Sequence, residues 1–185
     1  ASGHVRIHDW VEGEWVQLGG DIDGETASDQ SGSSIAMSAD GRRVAIGSHK
    51  NDGNGAQYRY KNVGSVRVFD LDGTTWTKFG EDIDGAKKNG HSGFSVAMTP
   101  DGGRIAIGAY KNNAGAGTNR GIVEIFDAPD GVGGTTWTKV GNKIEGEDAG
   151  DHSGVSVAMS ENGSRVAIGA IYNDGDSSNI KNAGH

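Results

Sequence analysis

Carboxylates are the residues whose types and spacing come nearest to a chemical site in this sequence. Asp21, Asp23, Glu25 and Asp29 lie close together. Asp82 and Asp84 form a second group, and Glu145, Glu147, Asp148 and Asp151 a third. Clustered carboxylate oxygens suit calcium or another hard cation, which gathers about six to eight oxygen ligands. The commoner use of Asp in such segments is to accept hydrogen bonds from its own backbone, and spacing alone completes no metal site. Calcium is the cofactor these residues offer, with Asp21, Asp23, Asp29, Asp82, Asp84, Glu145, Glu147 and Asp151 as candidate ligands.

Other reactive types give less. Ser34, Ser95 and Ser156 recur 61 residues apart. No His and Asp accompany them as a triad, so packing or strand hydrogen bonding is their expected role. His91 and His152 share one interval, with Gln30 preceding them in the same phase. Such repetition points to structure rather than a metal. The Gly-rich stretches at 51–55 and 113–117 lack the Lys-Ser/Thr and following helix of a phosphate loop. With no Cys, disulfides, thiolate zinc and thiol nucleophiles are excluded. Asn162-Gly163-Ser164 is a glycosylation sequon.

The 61-residue interval is the dominant signal. It separates Trp15, Trp76 and Trp137, and also Met37, Met98 and Met159, the only Met residues in the chain. Gly32, Gly93 and Gly154 keep it, as do Gly47, Gly108 and Gly169. Self-similarity at a fixed period marks a repeat architecture. The expected units are 3–63, 64–120 and 121–183, within a single segment over 1–185.

Each unit reads as four short strands. The first covers 4–8, 65–69 and 122–126, where Val or Ile alternates with polar residues in the period of a half-buried strand. The second begins at the repeated Trp and covers 15–18, 76–79 and 137–140. The third covers 34–37, 95–98 and 156–159, and the fourth 43–47, 104–108 and 165–169. Asp40-Gly41, Asp101-Gly102 and Asn162-Gly163 join the third to the fourth, and such dipeptides suit tight turns. The 185 residues include 33 Gly, only 2 Pro, and 34% hydrophobic residues, with net charge −8. Low hydrophobicity with net charge favours disorder, but the strict phasing argues for a folded chain. The expected fold is all-β, with three four-stranded repeats of about 60 residues as blades of a propeller. Solenoid repeats are usually shorter, about 20–45 residues.

The three segments running from Ser31-Gly32 through Ser34-Ile-Ala-Met37 to Val44-Ala-Ile-Gly47, from Ser92-Gly93 to Ile105-Ala-Ile-Gly108, and from Ser153-Gly154 to Val166-Ala-Ile-Gly169, resemble FG-GAP-type repeats, the blades of integrin-α-like propellers. The resemblance spans essentially the whole chain. It implies an extracellular or cell-surface location and a role in adhesion or scaffolding. Many blades of that family hold calcium in an aspartate-rich loop between the two strands of this motif. Here the loop is reduced to Asp-Gly or Asn-Gly, which leaves too few oxygens for the roughly six to eight ligands calcium prefers. A calcium-dependent lectin-like binder, or the non-catalytic part of a larger secreted enzyme, is the alternative expectation. On this reading the chain itself is not an enzyme.

The resemblance also orders the strands, with Ser-Val-Ala-Met innermost and the Trp strand outermost. The chain then opens on an outer pair of strands and closes on an inner pair, leaving half-blades at both ends. A ring needs about four blades, so completion by another copy or by further repeats is expected. The loops 48–63, 109–120 and 170–183 emerge on one face with 20–31, 81–92 and 142–153. Variable loops of this kind carry binding. Asn51, Asp52, Tyr58, Tyr60, Tyr110, Asn112, Tyr172 and Asp174 are the candidate contacts for a protein or glycan ligand. The acidic balance disfavours nucleic acid. No apolar run approaches the roughly 18 residues needed for membrane insertion, and no signal peptide is visible.

Overall fold

The computed structural model describes residues 1–53, 61–113, 118–130 and 134–174. These residues form strands and turns without a helix, so the all-β expectation holds. In order the strands are β1 (His4–Val5), β2 (His8–Val11), β3 (Glu14–Gln17), β4 (Ile22–Asp23), β5 (Ser34–Met37), β6 (Arg43–Ser48), β7 (Ser65–Asp72) and β8 (Thr75–Lys78). They continue with β9 (Ile83–Asp84), β10 (Ser95–Met98), β11 (Arg104–Ala109), β12 (Ile122–Asp127), β13 (Thr138–Lys139), β14 (Ile144–Glu145), β15 (Ser153–Met159) and β16 (Val166–Ala170).

Two five-stranded antiparallel sheets dominate. One runs β5-β6-β7-β8, with β9 also on β7; the other runs β10-β11-β12-β13, with β14 on β12. Their registers correspond residue for residue. Arg43 stands opposite Asp70 and Gly47 opposite Val66, while Arg104 stands opposite Asp127 and Gly108 opposite Val123. Among the described residues the other sheets are two-stranded, β1-β4 and β2-β3 before these and β15-β16 after them. The expected first strand over 4–8 is divided here into β1 and β2. Its counterpart β7 runs unbroken against β6.

The hydrophobic core lies between successive sheets. Period-two alternation sends Val44, Ile46 and Phe69 to one side, where they meet Val5, Ile7 and Ile22. Ala45, Val66 and Val68 face the other way and pack on Val96, Ile105 and Ile107. Each sheet is thus buried on both faces only where it has a neighbour on both sides. The turn glycines meet their expectation: Gly41, Gly102 and Gly163 have φ of 69°, 70° and 64°, a conformation that costs Gly little.

The short strands β4, β9 and β14 were not expected. They place Asp23, Asp84 and Glu145 in strands rather than in an open loop. Ile22 and Ile83 beside them are buried.

Candidate functional site

Both loop sets converge on one face, and their hydrogen bonds explain how. Asp29 is buried; its carboxylate accepts from the Thr26 amide at 2.9 Å and from Asn51 Nδ2 at 2.9 Å. Asp151 repeats the arrangement, accepting from the Asp148 amide at 2.7 Å and Asn173 Nδ2 at 3.0 Å. In the middle copy Gly90 occupies the phase of these aspartates. Asn51 and Asn112 each accept the amide of a following glycine, Gly64 and Gly121, on their backbone carbonyls.

Asn51 and Asn112 are buried and anchor their loops. Asp52 is exposed and accepts the Asn62 amide at 2.9 Å. Asp174 is exposed. Tyr58 and Tyr60 lie outside the described residues.

Most of the candidate carboxylates have partners nearby in the fold. Asp21 pairs with Arg6 at 3.0 Å and accepts from Gln17 at 2.8 Å. These bonds, Arg6 first, hold its carboxyl below the usual range. Asp82 meets Lys78 at 2.6 Å, and Glu145 meets Lys143 at 2.9 Å. Glu147 accepts from Asn173 at 3.1 Å. Asp29 and Asp151 staple their loops. Among the described residues no group of three or more His, Asp or Glu is placed to hold a metal.

The same face carries a continuous row of rings. His49 lies 5.5 Å from His91 and 5.3 Å from Phe94, centroid to centroid. Phe94 lies 4.3 Å from Tyr110, Tyr110 5.3 Å from His152, and His152 4.9 Å from Tyr172. These residues stand at the ends of β6, β11 and β16 and at the entries to β10 and β15. The row therefore crosses all three units. Lys111 Nζ sits 5.3 Å from the Tyr110 ring centre, within cation–π range.

The surroundings disfavour protonation of the imidazoles. Burial first, then the positive charges around it, push His49 down to about 4. Burial and Lys111 also lower His91 and His152, while Asp151 opposes the change at His152. Nδ1 of His49 and Nδ1 of His91 are buried with no hydrogen-bond partner among the described residues. Tyr172, at the end of the row, is 46% exposed. The structure thus brings Tyr110 and Tyr172 together with His91 and His152, and adds His49 and Phe94. His49, Tyr110 and Ile171 share one phase of the repeat with different side chains.

The repeated serines and tryptophans join sheets. Ser34 Oγ donates to the Gly93 carbonyl at 2.7 Å, and Ser95 Oγ to that of Gly154 at 2.8 Å. Trp76 Nε1 donates to the Leu18 carbonyl at 3.0 Å, and Trp137 packs edge-on against Phe79. These contacts match the packing roles expected of both.

No family model and no curated protein matches this chain. Among solved structures it is similar to a putative 6-phosphogluconolactonase from Bacteroides fragilis, at 17% identity and a TM-score of 0.54, over 90% of this chain and 36% of that one. It is also similar to Kuenenia stuttgartiensis hydrazine synthase, at 17% identity and a TM-score of 0.51, over 94% of this chain and 37% of that one. Both are propeller-like folds. This chain spans little more than a third of either. The expectation that the chain is not an enzyme is corrected by this likeness: the architecture is one that enzymes use, and the fold gives no ground for setting catalysis aside. No helix among the described residues is long and apolar enough to cross a membrane.

Proposed function

We infer that the chain is a propeller module that contacts a glycan or protein on the extracellular side or at the cell surface, in adhesion or scaffolding. Its units at 3–63, 64–120 and 121–183 form part of a ring completed by another copy or by further repeats. The resemblance to FG-GAP-type repeats supports the location. The observation that carries the contact reading is the ring row from His49 to Tyr172, lying where both loop sets converge.

Aromatic rings offer an apolar face with a polar edge, which suits sugar rings and side chains alike. Neutral imidazoles add a nitrogen that donates and one that accepts. A few polar groups placed among apolar rings give orientation to a bound ligand. Because the nearby carboxylates are committed to lysines, arginines and loop amides, contact is expected to survive chelation of calcium.

A glycan array probed with the chain, with and without EDTA, tests this reading. Binding to at least one neutral oligosaccharide is expected, unchanged by EDTA and lost in Tyr172→Ala and Tyr110→Ala. Binding that Tyr172→Ala and Tyr110→Ala leave intact would place the contact elsewhere. Binding abolished by EDTA would replace this reading with a calcium-dependent one.

A further inference from the structure

The three units carry one loop in the same phase, over 24–31, 85–92 and 146–153, and its charge reverses in the middle one. The first holds Glu25 and Asp29 with no Lys or Arg, and the third holds Glu147, Asp148 and Asp151. The middle loop has no carboxylate and carries Lys87 and Lys88, where the first unit has Thr26 and Ala27. Both lysines are exposed. The fold brings three more beside them. The Asn89 amide donates to the Lys61 carbonyl at 2.8 Å, and the His91 amide to the Asn62 carbonyl at 3.2 Å. Gly90 backs onto the side-chain amide of Asn112, which follows Lys111. Lys50 and Lys111 share a phase, and each follows a ring of the row, His49 or Tyr110.

None of these five lysines forms an ion pair among the described residues. A chain of net charge −8 thus holds a basic patch around His91. The exposed carboxylates nearest to it are Asp52, which accepts the Asn62 amide at 2.9 Å, and Asp84 on β9. Like charges gathered in this way repel one another, and an anion brought among them relieves that repulsion. The ring row runs through the patch. His91 is buried, with His49 at 5.5 Å on one side and Tyr110 at 5.6 Å on the other. Nδ1 of His49 and Nδ1 of His91 are buried with no partner among the described residues, and such atoms gain from a polar group brought to them. A metal cation is not the group the patch favours. Lys50 and Lys111 act on both imidazoles, and they would repel a divalent ion more strongly than a proton.

We propose that the contact face takes an acidic sugar, an oligosaccharide whose units bear carboxylate or sulfate, with the ring row under the sugar and Lys87, Lys88 and Lys111 on its anionic group. The proposal rests on the contact reading above and names the ligand class. Charge and stacking surface lie side by side here: Lys111 Nζ is 5.3 Å from the Tyr110 ring centre. An acidic sugar joins the same two features, since its anionic group is attached to the ring that stacks. An acidic peptide side chain carries a charge without such a ring. A lysine ammonium is a compact point charge with three donors, so carboxylate and sulfate suit it alike. The flanking loops, with Glu25 and Asp29 on one side and Glu147, Asp148 and Asp151 on the other, repel an anion and direct it to the middle unit.

Calorimetric titration of the full chain with an oligogalacturonate and with its methyl ester, which keeps the rings and removes the charge, tests this. A sulfated galactan oligosaccharide beside its desulfated form gives a second arm. In low salt the acid is expected to bind about tenfold tighter than its neutral form, as a few exposed charge contacts supply. The preference should shrink as NaCl rises from about 0.01 M to about 0.1 M, where the screening length falls from about 30 Å to about 10 Å. Lys87→Thr with Lys88→Ala installs the residue types of the first unit and should bring the acid down to the affinity of the neutral form. Lys111→Gln should do so in part. A preference for the acid in either arm supports the proposal and says whether carboxylate or sulfate is the group held. Equal affinity for acid and neutral form in both arms, with binding still lost in Tyr172→Ala, overturns the proposal and leaves the contact reading standing. A preference that both lysine variants leave unchanged overturns it too, as does poly-glutamate bound as tightly as the oligogalacturonate. Binding to none of the four sugars also overturns it, and the glycan array then decides the contact reading separately.

Discussion

Trp137 and Trp15 are the same residue in the same phase of the repeat, yet one is 7% exposed and the other 67%. The difference is the neighbour. Trp137 rests on Phe79 and Gly80 of the sheet before it, whereas Trp15 meets Trp10 of its own pair of strands. Val44 and Ile46 are likewise sealed between β6's own sheet and the outer pair at residues 4–22, whereas Val166 and Ile168 remain half-exposed on β16. A repeat of this kind does not bury its apolar side chains within itself. It buries them against the next unit, as stacked repeats do.

The largest effect that sharpens this comparison is a truncation in matched positions. Ile107→Ala removes a side chain sealed between two sheets and is expected to cost about 2–5 kcal/mol in urea unfolding. Ile168→Ala, at the same phase on β16, is expected to cost less than half as much in dilute solution. Equal costs would break the distinction between interior and end.

Next comes the arginine grip. Arg104→Ala loses two hydrogen bonds to Asp127 and one to Gly163. A loss of about 1–3 kcal/mol is expected by the same measurement. Arg165→Ala in dilute solution is expected to stay within about 0.5 kcal/mol of the parent.

A smaller contrast lies between the first and middle copies. Asp29→Ala removes the bonds to the Thr26 amide and Asn51, and about 1–2 kcal/mol of stability should be lost. The middle copy closes the same turn with Gly90, whose amide donates to the Lys87 carbonyl at 3.0 Å. Amide exchange at residues 26–31 should rise in Asp29→Ala, while residues 87–92 stay unchanged. Equal increases in both loops would mean that the staple is not local.

The mildest effect expected is on acid stability. The ring row favours neutral His49, His91 and His152. A histidine with a lowered folded pKa binds its proton more readily in the unfolded chain, so stability is whole above about 6.5 and falls with pH below it. For His49 the loss extends down to about 4. The urea midpoint should therefore fall between pH 6.5 and 4, and His49→Phe should flatten that fall. A midpoint equally pH-dependent in His49→Phe would remove His49 from the account.

Much of this architecture was legible because each strand's alternation recurs in register. Val44-Ala-Ile and Ile105-Ala-Ile announce two buried faces, and the inner strand Ser34–Met37 was located to the residue. The short strands β4, β9 and β14 were not, since two residues carry no alternation. Asn51, Asn112 and Asn173 repeat at the 61-residue interval, the same signal by which Ser34 and Ser95 were read as structural, and all three asparagines are buried. The ring row was hidden for the opposite reason. Its members change type from unit to unit, with His49 answered by Tyr110, so identity between repeats does not mark them. Only the packing of loop against loop sets these rings side by side.

Each sheet buries its apolar side chains against the next, and hydrogen exchange in dilute protein tests that most directly. Slow exchange is expected in β6 and β11, whose residues are almost all buried, and fast exchange in the exposed β2 and the half-exposed β16. Equal protection in all four strands would contradict it.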